Sequence, residues 1–217
     1  MTSAYVFDAY GTLLNVHAAV QRHASEIGPR FQRFSEVCRA KHLEYSWVRT
    51  LMGEYVNFWR LTEEALDFAL AKHPEISTGL KPSLLDAYLR LDCHPDVPVV
   101  LEAMKMQGAK LAFLSNGSPD MLKSAVVAAG LDVVLEQLFS VDAVGNFKPH
   151  PLAYTIFENR WALTPAEITF VSSNRWDVAG AKKAGFRTIW LNRTEQPDEY
   201  RDFPPDRVIR SMHELCG

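Results

Sequence analysis

Four short apolar segments restrict the folds open to this 217-residue chain more than any other feature. They cover residues 4–8, 110–115, 168–172 and 188–191. Each is brief and bounded by turn-forming residues, which predicts strands that are buried on both faces. Helical patterns over 120–129, 152–161 and 178–184 lie between or beside the later segments. This alternation predicts an α/β fold with a doubly wound parallel sheet.

Residues 15–92 differ from the rest of the chain because they contain almost no strand pattern. Apolar and aromatic side chains at helical spacing predict helices over three segments, 36–60, 63–71 and 82–91. We therefore predict a core made of residues 1–14 and 93–217, with residues 15–92 inserted into it as a helical cap. The tail, with prolines from Pro197 onwards, predicts loops at the periphery of the core.

The composition argues against several classes of protein. The net charge is −3, whereas a nucleic-acid-binding chain usually has an excess of basic residues. No apolar run is long enough to predict a membrane span. The first residues enter a strand without the basic and apolar stretches of a signal peptide. Cys38, Cys93 and Cys216 are scattered and odd in number, which favours the reducing cytoplasm over a disulfide scaffold or a zinc site. We expect a cytoplasmic protein without nucleic-acid or membrane partners.

Polar side chains cluster in four loops at predicted strand ends, where parallel sheets bind their ligands. The loops are residues 8–12, 115–118, 148–151 and 172–177. In the first loop, Asp8 ends a strand, Gly11 permits a sharp turn, and Thr12 can hydrogen-bond to the Asp8 carboxylate. In the third, Lys148 can keep a nearby carboxylate ionised. The shared position of the four loops predicts a single site.

Each loop taken alone also fits an ordinary structural role. Asp8 fits a residue that ends a strand and caps the following turn. Ser115 and Asn116 fit the cap of a following helix. Lys148 fits a solvated loop lysine, and Asp177 fits an acid that stabilises the first turn of a helix. On the residues alone these alternatives stay open.

Together the four loops resemble the haloacid dehalogenase superfamily, and in particular its L-2-haloacid dehalogenase branch. The resemblance runs through the whole core and rests on residues 7–13 (FDAYGTL), 115–117 (SNG) and 172–177 (SSNRWD). Arg39 and residues 43–47 (LEYSW) resemble the first cap helix of that branch. The resemblance implies a Rossmann-like core, a four-helix cap and a homodimer. It also implies that no metal ion and no organic cofactor take part.

The resemblance further implies a role for each matched residue. Asp8 is the implied nucleophile, Thr12 orients it, and Lys148 pairs with it. Arg39 is the cap residue that receives the leaving halide. Asp177 belongs to the hydrolytic half of the reaction.

Other matched residues are implied to contact the substrate. Ser115 and Asn116 hold the substrate carboxylate. Polar side chains complete the site, namely Tyr154, Ser172 and Asn174. The apolar pocket is lined by Tyr10, Leu43, Phe58 and Trp176. Ala40 departs from the branch, which often has a larger polar residue there, and this bears on the polarity and size of the pocket.

The implied reaction is the hydrolysis of small (S)-2-haloacids to (R)-2-hydroxyacids and halide, with inversion, through an ester on Asp8. Phosphatases of the superfamily carry a second Asp two residues after the nucleophile, where it protonates the leaving alcohol. Tyr10 stands at that position, and a halide needs no such proton. The loop over 172–177 holds one acid, Asp177, which is poor in ligands for Mg²⁺. Two alternatives are a phosphatase acting on a small phosphoester and a non-catalytic interaction protein of the same fold.

Overall fold

A parallel sheet of six strands organises the part of the chain that the structure, a computed structural model, describes, namely residues 3–157 and 161–216. The strands are β1 (Ala4–Phe7), β2 (Lys110–Ser115), β3 (Gln137–Ser140), β4 (Ile168–Ser172), β5 (Arg187–Leu191) and β6 (Arg207–Ile209). Their order across the sheet is β3-β2-β1-β4-β5-β6. The chain thus begins in the middle of the sheet and winds out to both sides, which confirms the predicted α/β fold.

Strand β1 lies at the centre of the sheet, between β2 and β4. Ala4 is paired on both sides, with Lys110 in β2 and with Ile168 in β4. Because all the strands run parallel, their carboxyl ends share one edge. Asp8 follows β1 at this edge, and its backbone N–H donates to the Val171 carbonyl at 2.9 Å. The first residue of the first loop is therefore fixed at the middle of the edge.

The two outermost strands, β3 and β6, were not predicted from the sequence. Each has a neighbour on one side only, so their outer residues face solvent: Leu138 in β3, and Arg207 and Val208 in β6, are exposed. The continuous apolar pattern that marks a central strand is therefore missing from both. The tail is loop-rich over residues 192–206, as expected, but it then adds β6 to the sheet and buries Ile209 and Met212.

Five α-helices in the described residues lie within residues 15–92, the segment predicted to form a helical cap. They are α1 (Ala18–Arg22), α2 (Ala24–Ile27), α3 (Phe31–Met52), α4 (Phe58–Lys72) and α5 (Lys81–Leu89). The single helix predicted over 36–60 is wrong, since α3 and α4 share that segment. Gly53 ends α3 in a left-handed conformation with φ of +70°, and the Asn57 side chain caps α4 by accepting from the Arg60 N–H at 3.0 Å.

The remaining α-helices in the described residues flank the sheet. They are α6 (Val97–Met106), α7 (Pro119–Ala128) and α8 (Arg175–Lys183). The helices predicted over 120–129 and 178–184 are confirmed, although α8 begins three residues earlier than expected. The helix predicted over 152–161 begins as a short 3₁₀ turn at Pro151–Tyr154, and residues 158–160 of it lie outside the described residues. Of the helices described, none has the length and apolar character needed to cross a bilayer.

Candidate active site

The Asp8 carboxylate is the meeting point of three of the four loops. Its Oδ1 atom accepts a hydrogen bond from Lys148 Nζ at 2.8 Å. Its Oδ2 atom accepts from Thr12 Oγ1 and Asn174 Nδ2, both at 2.8 Å, and from Ser172 Oγ at 3.4 Å. The residue is only 4% exposed. This number of donors keeps the carboxylate in one orientation at the strand end.

Lys148 is completely buried and places its ammonium among three acceptors. Nζ donates to Asp8 Oδ1 at 2.8 Å, to the Leu114 carbonyl at 2.8 Å and to Asp177 Oδ2 at 2.6 Å. Burial lowers the pKa of this lysine, but the charges of Asp177 and Asp8 outweigh burial, and the net effect is a raised pKa. Lys148 therefore stays a cation at any working pH.

Asp177 lies in the first turn of α8, on the other side of Lys148 from Asp8. Its Oδ1 atom accepts from the Tyr154 hydroxyl at 2.7 Å, while Oδ2 faces Lys148. The carboxyl group is completely buried. Burial raises its pKa to about 6, even though the Lys148 ammonium acts in the opposite direction. One ammonium thus serves two carboxylates, and the cluster carries a net negative charge above pH 6.

The first and fourth loops are held together by Thr12. Its Oγ1 donates to Asp8 and accepts from the Ser173 backbone N–H at 2.8 Å. Gly11 makes this arrangement possible because it adopts φ of +93°, a conformation that other residues avoid. The Asn116 side chain joins the second and third loops in a similar way, since its Oδ1 accepts from the Lys148 backbone N–H at 2.8 Å.

Arg39 extends from α3 of the helical insertion to the edge of the sheet. Its Nη2 donates to the Tyr10 carbonyl at 3.3 Å and to Asn174 Oδ1 at 3.4 Å, two neutral acceptors at long distance. In the described part of the chain no carboxylate forms an ion pair with it. Burial lowers the pKa of the guanidinium, and the nearby Asp8 charge opposes that shift. Most of its donors therefore remain available to an anion.

A small cavity lies between the sheet edge and the helical insertion. Its walls consist of Asp8, Tyr10, Arg39, Leu43, Phe58, Ser115, Asn116, Lys148, Asn174 and Trp176. The free space holds roughly one water molecule, so a larger molecule enters only if a wall moves. Ala40 is exposed and is not part of these walls, so it does not contact the cavity directly.

The structure brings together all the residues that the sequence predicts for the site. The predicted residues outside the cavity wall are hydrogen-bonded to a wall residue, either directly or through one further residue. Thr12 and Ser172 bond to Asp8, Asp177 bonds to Lys148, and Tyr154 bonds to Asp177. One participant was missed: the Leu114 carbonyl accepts from Lys148, and it carries no signal in the sequence because the contact uses a backbone atom. Gly117 belongs to the SNG motif, but its close approach to the Tyr10 ring was not predicted.

Comparison with known proteins agrees with this geometry. A family model described as haloacid dehalogenase-like hydrolase matches residues 2–185. The chain belongs to the haloacid dehalogenase-like hydrolases. This hydrolase is 46% identical to (S)-2-haloacid dehalogenase 4A of Burkholderia cepacia over 98% of its own chain and 92% of the relative.

Solved structures of haloacid dehalogenase-like hydrolases superpose on nearly the whole chain. A dehalogenase with an intermediate complex has a TM-score of 0.95 at 44% identity, covering 99% of this chain and 95% of the other. The L-2-haloacid dehalogenase of Xanthobacter autotrophicus with chloropropionic acid covalently bound has a TM-score of 0.90 at 36% identity, covering 100% of this chain and 97% of the other.

The donor set of this haloacid dehalogenase-like hydrolase does not fit a divalent cation. Mg²⁺ takes oxygen ligands and favours carboxylates. Here Asp8 and Asp177 share the Lys148 ammonium, which would repel a cation at the same place. Within residues 3–157 and 161–216, no group of three or more His, Cys, Asp or Glu side chains is arranged to hold a metal ion.

Proposed function

We propose that the protein hydrolyses small (S)-2-haloacids to (R)-2-hydroxyacids and halide, with inversion at the halogen-bearing carbon. The observation that carries the proposal is the Asp8 carboxylate, held by several donors in a partly apolar cavity with the Arg39 guanidinium facing it. Similarity to named (S)-2-haloacid dehalogenases over nearly the whole chain supports the same reaction.

In the first step, an Asp8 oxygen attacks the carbon that carries the halogen. A carbon–oxygen bond forms, the carbon–halogen bond breaks, and halide leaves with the bonding electron pair. Arg39 receives the halide, since its guanidinium lies over the cavity without a carboxylate partner among the described residues. The apolar side chains of Leu43, Phe58 and Trp176 surround the alkyl part of the substrate.

In the second step, water attacks the carbonyl carbon of the ester on Asp8. Asp177 takes a proton from that water, which its carboxylate can do once it is ionised. Ester formation removes the negative charge of Asp8, so the Lys148 ammonium then balances Asp177 alone. The tetrahedral intermediate collapses by breaking the bond between the Asp8 carboxyl carbon and the substrate oxygen, and Asp177 returns its proton to that oxygen. The hydroxyacid leaves, and the Asp8 carboxyl group loses its proton to solvent and is restored as a carboxylate.

The substrate carboxylate binds at the second loop. Ser115 and Asn116 line the cavity; Ser115 is the last residue of β2, and Asn116 follows it shortly before α7. Backbone N–H groups at the start of a helix attract an anion. Because Asn116 Oδ1 already accepts from the Lys148 N–H, its Nδ2 is the atom left to donate to the substrate.

The same geometry gives less support to phosphate transfer. Tyr10 lies where a phosphatase needs a second acid, and its phenol, whose pKa is raised by burial, is a much weaker proton donor to a leaving alcohol than a carboxyl group. The site also needs no metal ion in our proposal, because the substrate carries a single negative charge. Arg39, Ser115 and Asn116 suffice to bind that charge and the departing halide.

Halide release measures the proposed activity directly. We expect the purified protein to release chloride from (S)-2-chloropropionate in the presence of EDTA, with the (R)-2-hydroxyacid as product. The Asp8→Asn variant is the matched control, since it keeps the size of the side chain and should release none. Magnesium-dependent phosphate release from small phosphoesters, without halide release, would contradict the proposal.

The division into core and cap belongs to the same proposal. Residues 15–92 supply Arg39, Leu43 and Phe58 to the cavity, and the rest of the chain supplies the other wall residues. Since the cavity holds roughly one water molecule, a shift of this cap relative to the core is the simplest way to admit a haloacid.

We also propose a homodimer that works in the cytoplasm. Val48, Leu51 and Met52 form an exposed apolar patch at the end of α3, with Leu51 87% exposed, and a second copy of the chain would cover it. Light scattering should give a dimeric mass, and Leu51→Glu should give a monomer.

Cys38, Cys93 and Cys216 are all free thiols, as expected in a reducing compartment, and cell fractionation tests that location.

A further inference from the structure

The Tyr10 hydroxyl is a buried donor without a partner. Tyr10 is 6% exposed, and its oxygen makes no hydrogen bond within the described residues. Tyr154, the other tyrosine of the site, differs because its hydroxyl donates to Asp177. Burial of an unpaired hydroxyl destabilises a fold, so a group of this kind indicates a partner that arrives with a ligand.

The Tyr10 side chain is fixed in position on several sides. Its ring lies 6.0 Å from the ring of Phe58, and its backbone carbonyl accepts from Arg39 and Asn174 at 3.3 Å each. A Cβ atom at Gly117 would lie 2.7 Å from Tyr10 Cε2 and 3.1 Å from the hydroxyl oxygen. Only a glycine leaves room for the ring there. The hydroxyl is therefore held against the backbone of the second loop.

That position decides which part of the substrate the hydroxyl faces. The second loop contains Ser115 and Asn116, which bind the substrate carboxylate in the proposed function. Tyr10 is also a wall residue of the same cavity. Burial and the nearby Asp8 charge both raise the pKa of Tyr10 above its ordinary value, so the phenol keeps its proton and can donate it.

We propose that the Tyr10 hydroxyl donates a hydrogen bond to the carboxylate of the substrate, in addition to the donors of the second loop. This inference rests on the proposed function and assigns a binding role to the hydroxyl, beyond the apolar contact made by the ring. The bond forms in the ground state and persists through both chemical steps, because the carboxylate does not change charge. Tyr10 therefore contributes to substrate binding more than to the rate of the bound substrate.

The Tyr10→Phe variant tests the proposal because it removes the hydroxyl and keeps the ring. A hydrogen bond to a charged group is worth about a tenfold to hundredfold change in affinity. We expect KM to rise by that factor, and by an equal factor for (S)-2-chloropropionate and (S)-2-bromopropionate, with kcat nearly unchanged. The Kd of propionate, a carboxylate without halogen, should rise in parallel. The melting temperature should stay the same or rise, since the variant loses an unpaired buried group.

Other outcomes would overturn the proposal. An unchanged KM and an unchanged Kd for propionate would show that the hydroxyl does not contact the carboxylate. A fall in kcat that differs between the two halogens would assign the hydroxyl to the leaving group instead. Tyr154→Phe is the control, with a loss in kcat and an unchanged Kd for propionate. If the wild-type protein released no halide, the proposed function would fail, while the propionate measurement would still decide the role of Tyr10.

Discussion

Replacement of Lys148 by Met tests the electrostatics of the site most severely. Methionine has a similar length, so the change removes the charge and three hydrogen bonds without opening a large cavity. Asp8 and Asp177, which are 4% and 0% exposed, then face each other with no cation between them. Removal of one partner from a buried ion pair costs about 3–5 kcal/mol. That is a large fraction of the roughly 5–15 kcal/mol that stabilises a typical domain.

The loss in free energy of unfolding caused by Lys148→Met should increase with pH. Burial and Asp8 already hold the pKa of Asp177 at about 6 with Lys148 present, and without the ammonium it rises further. The pKa of an Asp carboxyl group in the unfolded protein is about 3.9. When the pKa is higher in the folded protein, the group stabilises the fold below the unfolded pKa, and this stabilisation is lost as the pH rises through the folded pKa. The destabilisation of Lys148→Met should therefore be greater at pH 8 than at pH 5. We expect a difference of at least about 1.4 kcal/mol, which corresponds to one pKa unit.

Urea unfolding at pH 5 and pH 8 measures this effect. Lys182→Met is the matched control, because Lys182 pairs with Asp206 at 2.5 Å while both side chains are partly exposed, at 29% and 45%. Such a surface pair is worth roughly 0–1 kcal/mol. A loss of less than about 1 kcal/mol in Lys148→Met, equal at both pH values, would refute the reasoning, because the two carboxylates would then not depend on the ammonium.

Three further predictions concern the reaction. The rate of hydroxyacid formation should fall in acid, with an inflection at or below the pKa of about 6 that Asp177 has in the free protein, because ester formation removes the Asp8 charge that helps to raise it; a flat pH–rate profile over the whole acid range in which the protein stays folded would contradict the role of this residue. Arg39→Lys should lower kcat by about 10- to 100-fold, since an ammonium cannot reproduce the fork of donors, and steady-state halide release measures the loss. Thr12→Val should lower kcat by about tenfold and destabilise the fold by about 1–3 kcal/mol, because it leaves the Ser173 N–H without its acceptor; an unchanged melting temperature would argue against that bond.

The sequence predicted the centre of the fold better than its margins. Strand β1 is buried on both faces, so the apolar segment that forms it is visible in the sequence. Strands β3 and β6 are the two outermost strands of the sheet, where each has one partner strand and solvent-facing residues are tolerated. Their sequences carry no continuous apolar pattern. The break between α3 and α4 was missed as well, since apolar spacing continues across Gly53 and Asn57.

Much of the candidate site followed from a single physical rule. Polar residues that follow strands of a parallel sheet meet at one edge, and this rule together with the resemblance predicts that Asp8, Lys148 and Asp177 belong to one site. The exact partners could not be predicted. Nothing in the sequence distinguishes the Asn116 side chain, which accepts from the backbone of Lys148, or the Tyr10 hydroxyl, which has no partner. Both depend on packing between segments far apart in the chain.

The fate of solvent oxygen in a single turnover tests the central claim, that Asp8 forms an ester with the substrate. The experiment uses excess protein, (S)-2-chloropropionate and water labelled with ¹⁸O, followed by mass analysis of the product and of the peptide that contains Asp8. We predict that the first hydroxyacid carries an unlabelled oxygen taken from Asp8, while the label enters the Asp8 carboxylate. Labelled hydroxyacid together with unlabelled Asp8 would mean that water attacks the substrate directly, and would contradict the account.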